Sequence, residues 1–230
     1  MFRSKEEIDK IKQHESPPFV IENAVDVELF LQYYAENKNK IVQKNTGPQV
    51  LTIPPEDNFF FYSLQNILKE NIGEFKVRNA HFFETEVPHV IHNDDVFEDS
   101  NPYKAFTIPL RIFGFPDDIK LILFDQHFYH GPAKFFNGDT SEREVFYNKS
   151  ITNYKYLSYT NNKGIDKNIQ KNYLNHCNKE WLEGLSIHTV LDWKIGNILC
   201  FDSLQLHCSS DFTIQGVNKK IGLSVFTVKE

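Results

Sequence analysis

Cysteine is scarce in this chain: its 230 residues hold three, Cys177, Cys200 and Cys208, which cannot all pair with one another and show no Cys-x-x-Cys spacing. That pattern argues against a disulfide framework and against a structural zinc site, and it points to a reducing compartment. Long apolar runs are missing too. No stretch approaches the roughly 20 residues needed to cross a bilayer, and the opening MFRSKEEIDKIKQHE is charged throughout, without the apolar segment of a secretory signal. A cytoplasmic protein with no membrane partner is the expectation. The net charge is only −6 and no run of Lys or Arg is dense enough to track a phosphate backbone, so nucleic acid is not an expected partner. Internal repeats are absent, and low complexity goes no further than a bias toward Asn and Lys.

Aromatic residues, by contrast, are plentiful. With 21 Phe and 10 Tyr the chain has the bulk to fill a core, and its length suits one domain spanning residues 1–230. Ser4 followed by Glu7 fits a capping box, so residues 4–14 read as a short helix that the Pro17-Pro18 pair ends. FVIEN reads as a strand, and residues 25–36 as a helix with Val27, Phe30, Leu31 and Tyr34 on one side. Val50 to Ile53 reads as a strand, and residues 57–71 as a helix carrying Phe60, Leu64 and Leu68. Residues 1–73 would thus form a support region.

From residue 74 the period changes. Phe75, Val77, Asn79, His81 and Phe83 alternate with Glu74, Lys76, Arg78 and Ala80, which is a strand pattern. Further strands read as 87–92, 104–112, 120–127, 186–192, 197–202, 205–209 and 220–228. Many short strands without helices at βαβ spacing predict a mainly β fold of sandwich or jelly-roll type. The exception is an insertion, 127–184, rich in Asn, Lys and Tyr, with a helical stretch at 167–183. It is either a lid or a surface excursion.

The chemistry-bearing residues are His92 and Asp94 in PHVIHNDD, answered by His207 in GNILCFDSLQLHCSSDF. In an extended segment, residues two apart point to the same side, so His92 and Asp94 can grip one metal while Asn93 faces away. A second histidine from a distant strand completes a two-histidine, one-carboxylate set. Such a set occupies one face of an octahedral ion and leaves positions open for a chelating cosubstrate and dioxygen, as non-heme iron(II) oxygenases require.

These residues do not stand alone. Trp193 to Gly196 forms a Trp-Lys-x-Gly turn, the strand after it ends in Phe201-Asp202-Ser203, LHCSSDF follows, and KKIGLSVFT comes last. The order resembles the 2-oxoglutarate- and iron(II)-dependent oxygenases, over about residues 184–228 and 88–112, with a fainter likeness in PPFVIENAVDVELFLQYYAE. Residues 127–183 match nothing in that pattern.

The resemblance implies a double-stranded β-helix (jelly roll, cupin-like) with supporting N-terminal helices and a helical insertion. It implies Fe(II) on His92, Asp94 and His207, and 2-oxoglutarate as cosubstrate. The reaction implied is hydroxylation of a small molecule or an amino-acid side chain by dioxygen, with decarboxylation of 2-oxoglutarate to succinate. It also implies that Lys220 takes the place of the basic residue, more often arginine, that binds the distal carboxylate. An arginine would offer a planar fork where lysine offers a point charge. Lys220, Gly222 and Ser224 share one strand face, so Ser224 could add a hydroxyl, and Thr107 and Arg111 are further candidates for the same pocket. Lys219 points the other way and reads as a solvated charge.

Other histidines read as bystanders. His89 and His92 are three apart, which in a strand sets them on opposite sides; His127 and His130 read as surface residues; His14, His81, His176 and His188 have no partner at ligand spacing. Two other classes of function stay open on the residues alone: a non-catalytic, metal-binding cupin-like protein, and a zinc or manganese hydrolase on the same barrel.

Overall fold

The computed structural model describes residues 3–41, 49–53, 59–95, 101–115, 118–135, 146–147 and 164–230. Helix α1 (Lys5–Lys12) begins at the expected capping box, with the Ser4 hydroxyl accepting from the Glu7 amide and the Glu7 carboxylate accepting from the Ser4 amide at 2.6 Å. Strand β1 (Phe19–Ile21) follows the proline pair. Helix α2 (Val27–Asn37) is capped by Asp26, whose side chain accepts from the Leu29 amide. After strand β2 (Gln49–Thr52) comes helix α3 (Phe59–Ile72). Its buried stripe is Phe61, Leu64 and Leu68. The side chain of Phe60, expected on that stripe, lies outside the described residues.

The strands then run β3 (Lys76–Thr85), β4 (Pro102–Gly114), β5 (Lys120–His127), β6 (Lys134–Phe135), β7 (Phe146–Tyr147), β8 (Ile187–Asp192), β9 (Ile198–Asp202), β10 (Gln205–Ser209) and β11 (Val217–Val228). Short helices α4 (Lys167–Tyr173) and α5 (Lys179–Leu182) precede β8. One sheet has the order β1-β9-β4-β11-β3-β2 and the other β10-β5-β8, with every neighbouring pair antiparallel; β6 and β7 form a small parallel pair.

Three layers of apolar packing follow. On the outer face of the large sheet, Phe82, Phe106, Ile108, Leu223 and Val225 pack with Phe30, Leu31 and Tyr34 of α2 and Phe61, Leu64 and Leu68 of α3. Between the sheets lie Ala105, Leu121, Leu123, Trp193, Leu199, Phe201, Phe212 and Phe226. On the outer face of the small sheet, Ile122, Phe124, Leu206 and Cys208 are covered by Leu174, Cys177, Trp181 and Leu182. Each fully buried Leu or Phe contributes about 1.5–3 kcal/mol, so the two helix-bearing layers fix the sheets that carry the site.

Two local irregularities decide which residues face inward. The pairing of β11 with β3 shifts between Phe226↔Asn79 and Thr227↔Val77, a β-bulge that reverses the alternation of β3. Phe75 and Val77 pack under the helices before it, and Ala80 and Phe82 take that side after it, so Phe83 turns to the space between the sheets. A second shift lies between Ile221↔Arg111 and Gly222↔Pro109. Gly222 itself is required by its neighbour, because a Cβ there would come within 2.5 Å of the Phe83 ring.

The segment 87–92, expected as a strand, is irregular up to Ile91, and its strand pairing is limited to two bridges at His92, one to Lys134 and one to His207. Pro88 helps explain this, since it brings no amide to a ladder. The helical expectation for 167–183 is met in two short pieces. Residues 136–145 and 148–163, where the lid was expected, lie outside the described residues. No helix among the described residues is long and apolar enough to cross a membrane.

Candidate metal centre

His92 sits between two strands. Its amide donates to the His207 carbonyl at 3.0 Å and the His207 amide donates back to the His92 carbonyl at 2.8 Å. On the other side, Phe135 donates to the Ile91 carbonyl (2.8 Å) and Asn93 to the Ala133 carbonyl (3.0 Å). Asp94 donates its amide to Ser203 at 2.7 Å. Residues 91–94 therefore act as an extra strand beside β10, and the two-residue parity expected for His92 and Asp94 holds.

The side chains on either side of the ligands lock this segment. Asn93 points away, as expected, donating to the carbonyls of Phe128 and Gly131 (both 3.1 Å) and accepting from the Ala133 amide at 2.8 Å. Asp95 is buried in a two-pronged ion pair with Arg3, at 2.6 and 3.0 Å, and the same guanidinium donates to the Tyr129 carbonyl. Neither contact was signalled by the sequence, because the partners of Asn93 and Asp95 lie 35 to 92 positions away.

His92, Asp94 and His207 converge, with one donor atom from each within 4.8 Å of the others. Asp94 Oδ1 is 3.5 Å from His92 Nε2, and Asp94 Oδ2 is 3.4 Å from His207 Nε2. The opposite ring nitrogens are committed: His92 Nδ1 lies 2.8 Å from the Val90 carbonyl and His207 Nδ1 2.9 Å from the Gln205 carbonyl. A carbonyl can only accept, so each Nδ1 carries a proton, which leaves Nε2 as the atom that bears the lone pair in the neutral ring a metal needs, and both Nε2 atoms face the carboxylate. Burial, followed by the neighbouring His92, pushes His207 down to about 4, so it is neutral near pH 7. Asp94 is held below the ordinary carboxylate range: burial raises it, and the neighbouring histidines more than offset that. Two lone pairs and a carboxylate facing one another form an electron-rich hollow that a divalent cation fits, with the ring orientation set in advance.

On the facing strand, Lys220 is 3% exposed, and its ammonium lies 4.6 Å from the ring centres of both Trp193 and Phe212. Among the described residues no carboxylate pairs with it. Burial pushes Lys220 down to about 7. Ser224 is opposite Thr107 on β4 and His81 on β3, so the three form a row across the sheet on the Lys220 side. Arg111 does not join them. It is exposed and stands opposite Ile221, which packs under the helices, because the bulge in β4 turns it outward. Lys219 does point away from Lys220, but it is not a free solvated charge: it pairs with Glu84 at 3.0 Å and covers the Phe113 ring.

Several histidines are placed otherwise than expected. The His89 ring centre is 4.0 Å from that of His92, because the irregular segment lacks strand parity, and burial keeps His89 well below the ordinary histidine range. The row of tilted rings continues through His207, 4.2 Å from His92, to Phe201, 4.5 Å from His207. His127 is half-buried, 3.4 Å from Asp202, rather than on the surface. His188 contacts Asp125 at 3.1 Å. His176 lies against two cysteines on the far side of β10. Trp193 and Phe212 are the ring walls of the lysine pocket; sequence reasoning read Trp193 only as the start of the Trp-Lys-x-Gly turn and did not single out Phe212.

No protein-family model matches the chain, and no curated protein is similar to it in sequence. Solved structures do share its fold. SnoK, a non-heme α-ketoglutarate-dependent carbocyclase from nogalamycin biosynthesis, superposes with a TM-score of 0.54 at 11% identity, over 99% of this chain and 84% of that one. The epimerase SnoN, crystallised with Fe3+, α-ketoglutarate and nogalamycin RO, gives 0.53 at 8% identity, over 97% and 83%. A Pseudomonas putida prolyl-4-hydroxylase gives 0.50 at 12% identity, over 97% of both chains. The chain thus has the double-stranded β-helix fold of the 2-oxoglutarate- and iron-dependent oxygenases, as its motifs led one to expect.

Proposed function

We propose that this chain is an Fe(II)- and 2-oxoglutarate-dependent dioxygenase that hydroxylates a small molecule or an amino-acid side chain. The observation that carries the reading is the pair of Nε2 lone pairs and one carboxylate, preset by backbone carbonyls, on a fold shared with such enzymes. Bound iron(II) would supply the redox chemistry that couples decarboxylation of 2-oxoglutarate to oxidation of a substrate C–H bond.

The protein's own residues do the rest. His92, Asp94 and His207 would hold the ion. Lys220 binds the distal carboxylate of 2-oxoglutarate, with Ser224 and Thr107 as hydroxyl donors beside it. Trp193 and Phe212 keep water from the ammonium, which raises the worth of that single charge contact. The whole chain works as one domain, with residues 1–73 as buttress.

Purified protein supplied with Fe(II), 2-oxoglutarate and air should release succinate slowly even without a prime substrate, and His207→Ala should not. Succinate formation that survives His207→Ala would remove the triad from the reaction. A chain that binds metal without consuming 2-oxoglutarate would be a binding protein, and oxygen-independent hydrolysis restored by zinc or manganese would make it a hydrolase.

A further inference from the structure

A second group of metal-ligating side chains lies on the opposite face of β10. His207 turns its ring inward, so Cys208, the next residue, turns outward, and there it meets Cys177 and His176 from the stretch between α4 and α5. One donor atom from each of the three lies within 4.8 Å of the others. Cys177 and Cys208 are buried and unpaired as thiols, and His176 is half-buried, which leaves the cluster reachable from one side.

The dimensions match a tetrahedral thiophilic ion. Metal bonds of about 2.3 Å to sulfur and about 2.0–2.1 Å to nitrogen, opened to the tetrahedral angle, set the sulfur and nitrogen about 3.5 Å apart. Cys177 Sγ and His176 Nε2 are 3.5 Å apart. The other ring nitrogen, His176 Nδ1, is buried without a hydrogen-bond partner among the described residues, so no neighbour there claims the ring for another role.

We propose that His176, Cys177 and Cys208 form a second metal site, for a zinc-like divalent cation, that fastens the α4–α5 segment to the back of the strand carrying His207. The two sites differ in softness. Two thiols and an imidazole favour zinc over iron, whereas the triad offers no sulfur. The ligands escape sequence patterns because Cys208 is 31 positions from Cys177, with no Cys-x-x-Cys pair to betray them.

Cobalt(II) distinguishes the sites, since only a sulfur ligand produces an intense near-ultraviolet charge-transfer band. Reduced, metal-free full-length protein titrated anaerobically with cobalt(II) should develop that band, and Asp94→Ala, which impairs the triad, should keep it. Zinc(II) should displace it, Cys177→Ser and Cys208→Ser should each abolish it, and Cys200→Ser should leave it intact. Cadmium-loaded wild-type protein covers the case in which a serine variant fails to fold: its cadmium resonance should fall in the range of two thiolates and an imidazole. The proposal is overturned by the absence of any sulfur band in fully reduced protein, by a band that persists in both folded serine variants, or by a cadmium resonance confined to the nitrogen and oxygen range. Failure of the succinate assay would leave this result untouched, and the reverse holds as well.

Discussion

Lys220 carries an electrostatic conflict. Its ammonium is buried between two rings, has no carboxylate partner among the described residues, and loses its proton at about 7 in place of the ordinary 10.5. The aromatic faces recover part of the desolvation cost, and a dianionic ligand would recover much of the remainder. Above pH 7 the free protein is neutral at this position, so an incoming dianion must bring a proton with it. Binding of 2-oxoglutarate should therefore weaken by about tenfold per pH unit above 7, and a titration at several pH values checks this. Lys220→Arg should remove the dependence, because guanidinium stays charged. A flat pH profile in the wild type would place the dianion elsewhere.

The stability of the ligand-free fold moves in the opposite sense. The unfolded chain keeps this proton up to about 10.5, so the folded state gains stability as pH rises from about 7 toward that value. Lys219 offers the contrast. Its pair with Glu84 is partly exposed, and Lys219→Ala should cost no more than about 1 kcal/mol and leave binding unchanged.

Among the elements, the short segment 91–95 matters most, and it is not a regular strand. The sequence predicted the His92/Asp94 parity correctly because that parity needs only local extension, which the bonds to His207 and Ser203 impose. It misplaced His89 because the expected strand 87–92 does not form, and it misplaced Arg111 because a β-bulge has no signature in the alternation of side chains. Legible features were those set by local chemistry: the Ser4–Glu7 cap, the strand 205–209, and the Lys220/Ser224 face. Features set by distant partners, such as the Arg3–Asp95 pair and the rings around Lys220, were not. The Asn93 clamp yields the prediction at this scale. Asn93→Ala removes three buried hydrogen bonds, so it should cost roughly 2–4 kcal/mol of stability. Because the clamp positions both flanking ligands, iron affinity should also fall by about 10–100-fold, read by anaerobic competition with a chelator. Lost stability with unchanged iron affinity would make Asn93 a purely structural residue.

The whole molecule is arranged so that apolar layers on both outer faces hold two sheets, with a third apolar layer between them beside the buried polar site. Helices α2 and α3 cover the large sheet and the α4–α5 segment covers the small one, which leaves the triad and Lys220 facing the space between. The abundance of Phe signalled such a core in advance; which strands closed it did not follow from composition. A ligand that binds this interior should stabilise the entire fold, by about 2.7 kcal/mol at a hundredfold excess over its dissociation constant. The most direct test joins the metal, the cosubstrate and oxygen in one cuvette. Anaerobic protein with Fe(II) and 2-oxoglutarate should develop a weak visible charge-transfer band, lost in Asp94→Ala, that bleaches when air is admitted as succinate appears in step. If iron and 2-oxoglutarate bind with no such band, or the band forms and air leaves both it and the 2-oxoglutarate unchanged, the chain is not an oxygenase of this kind.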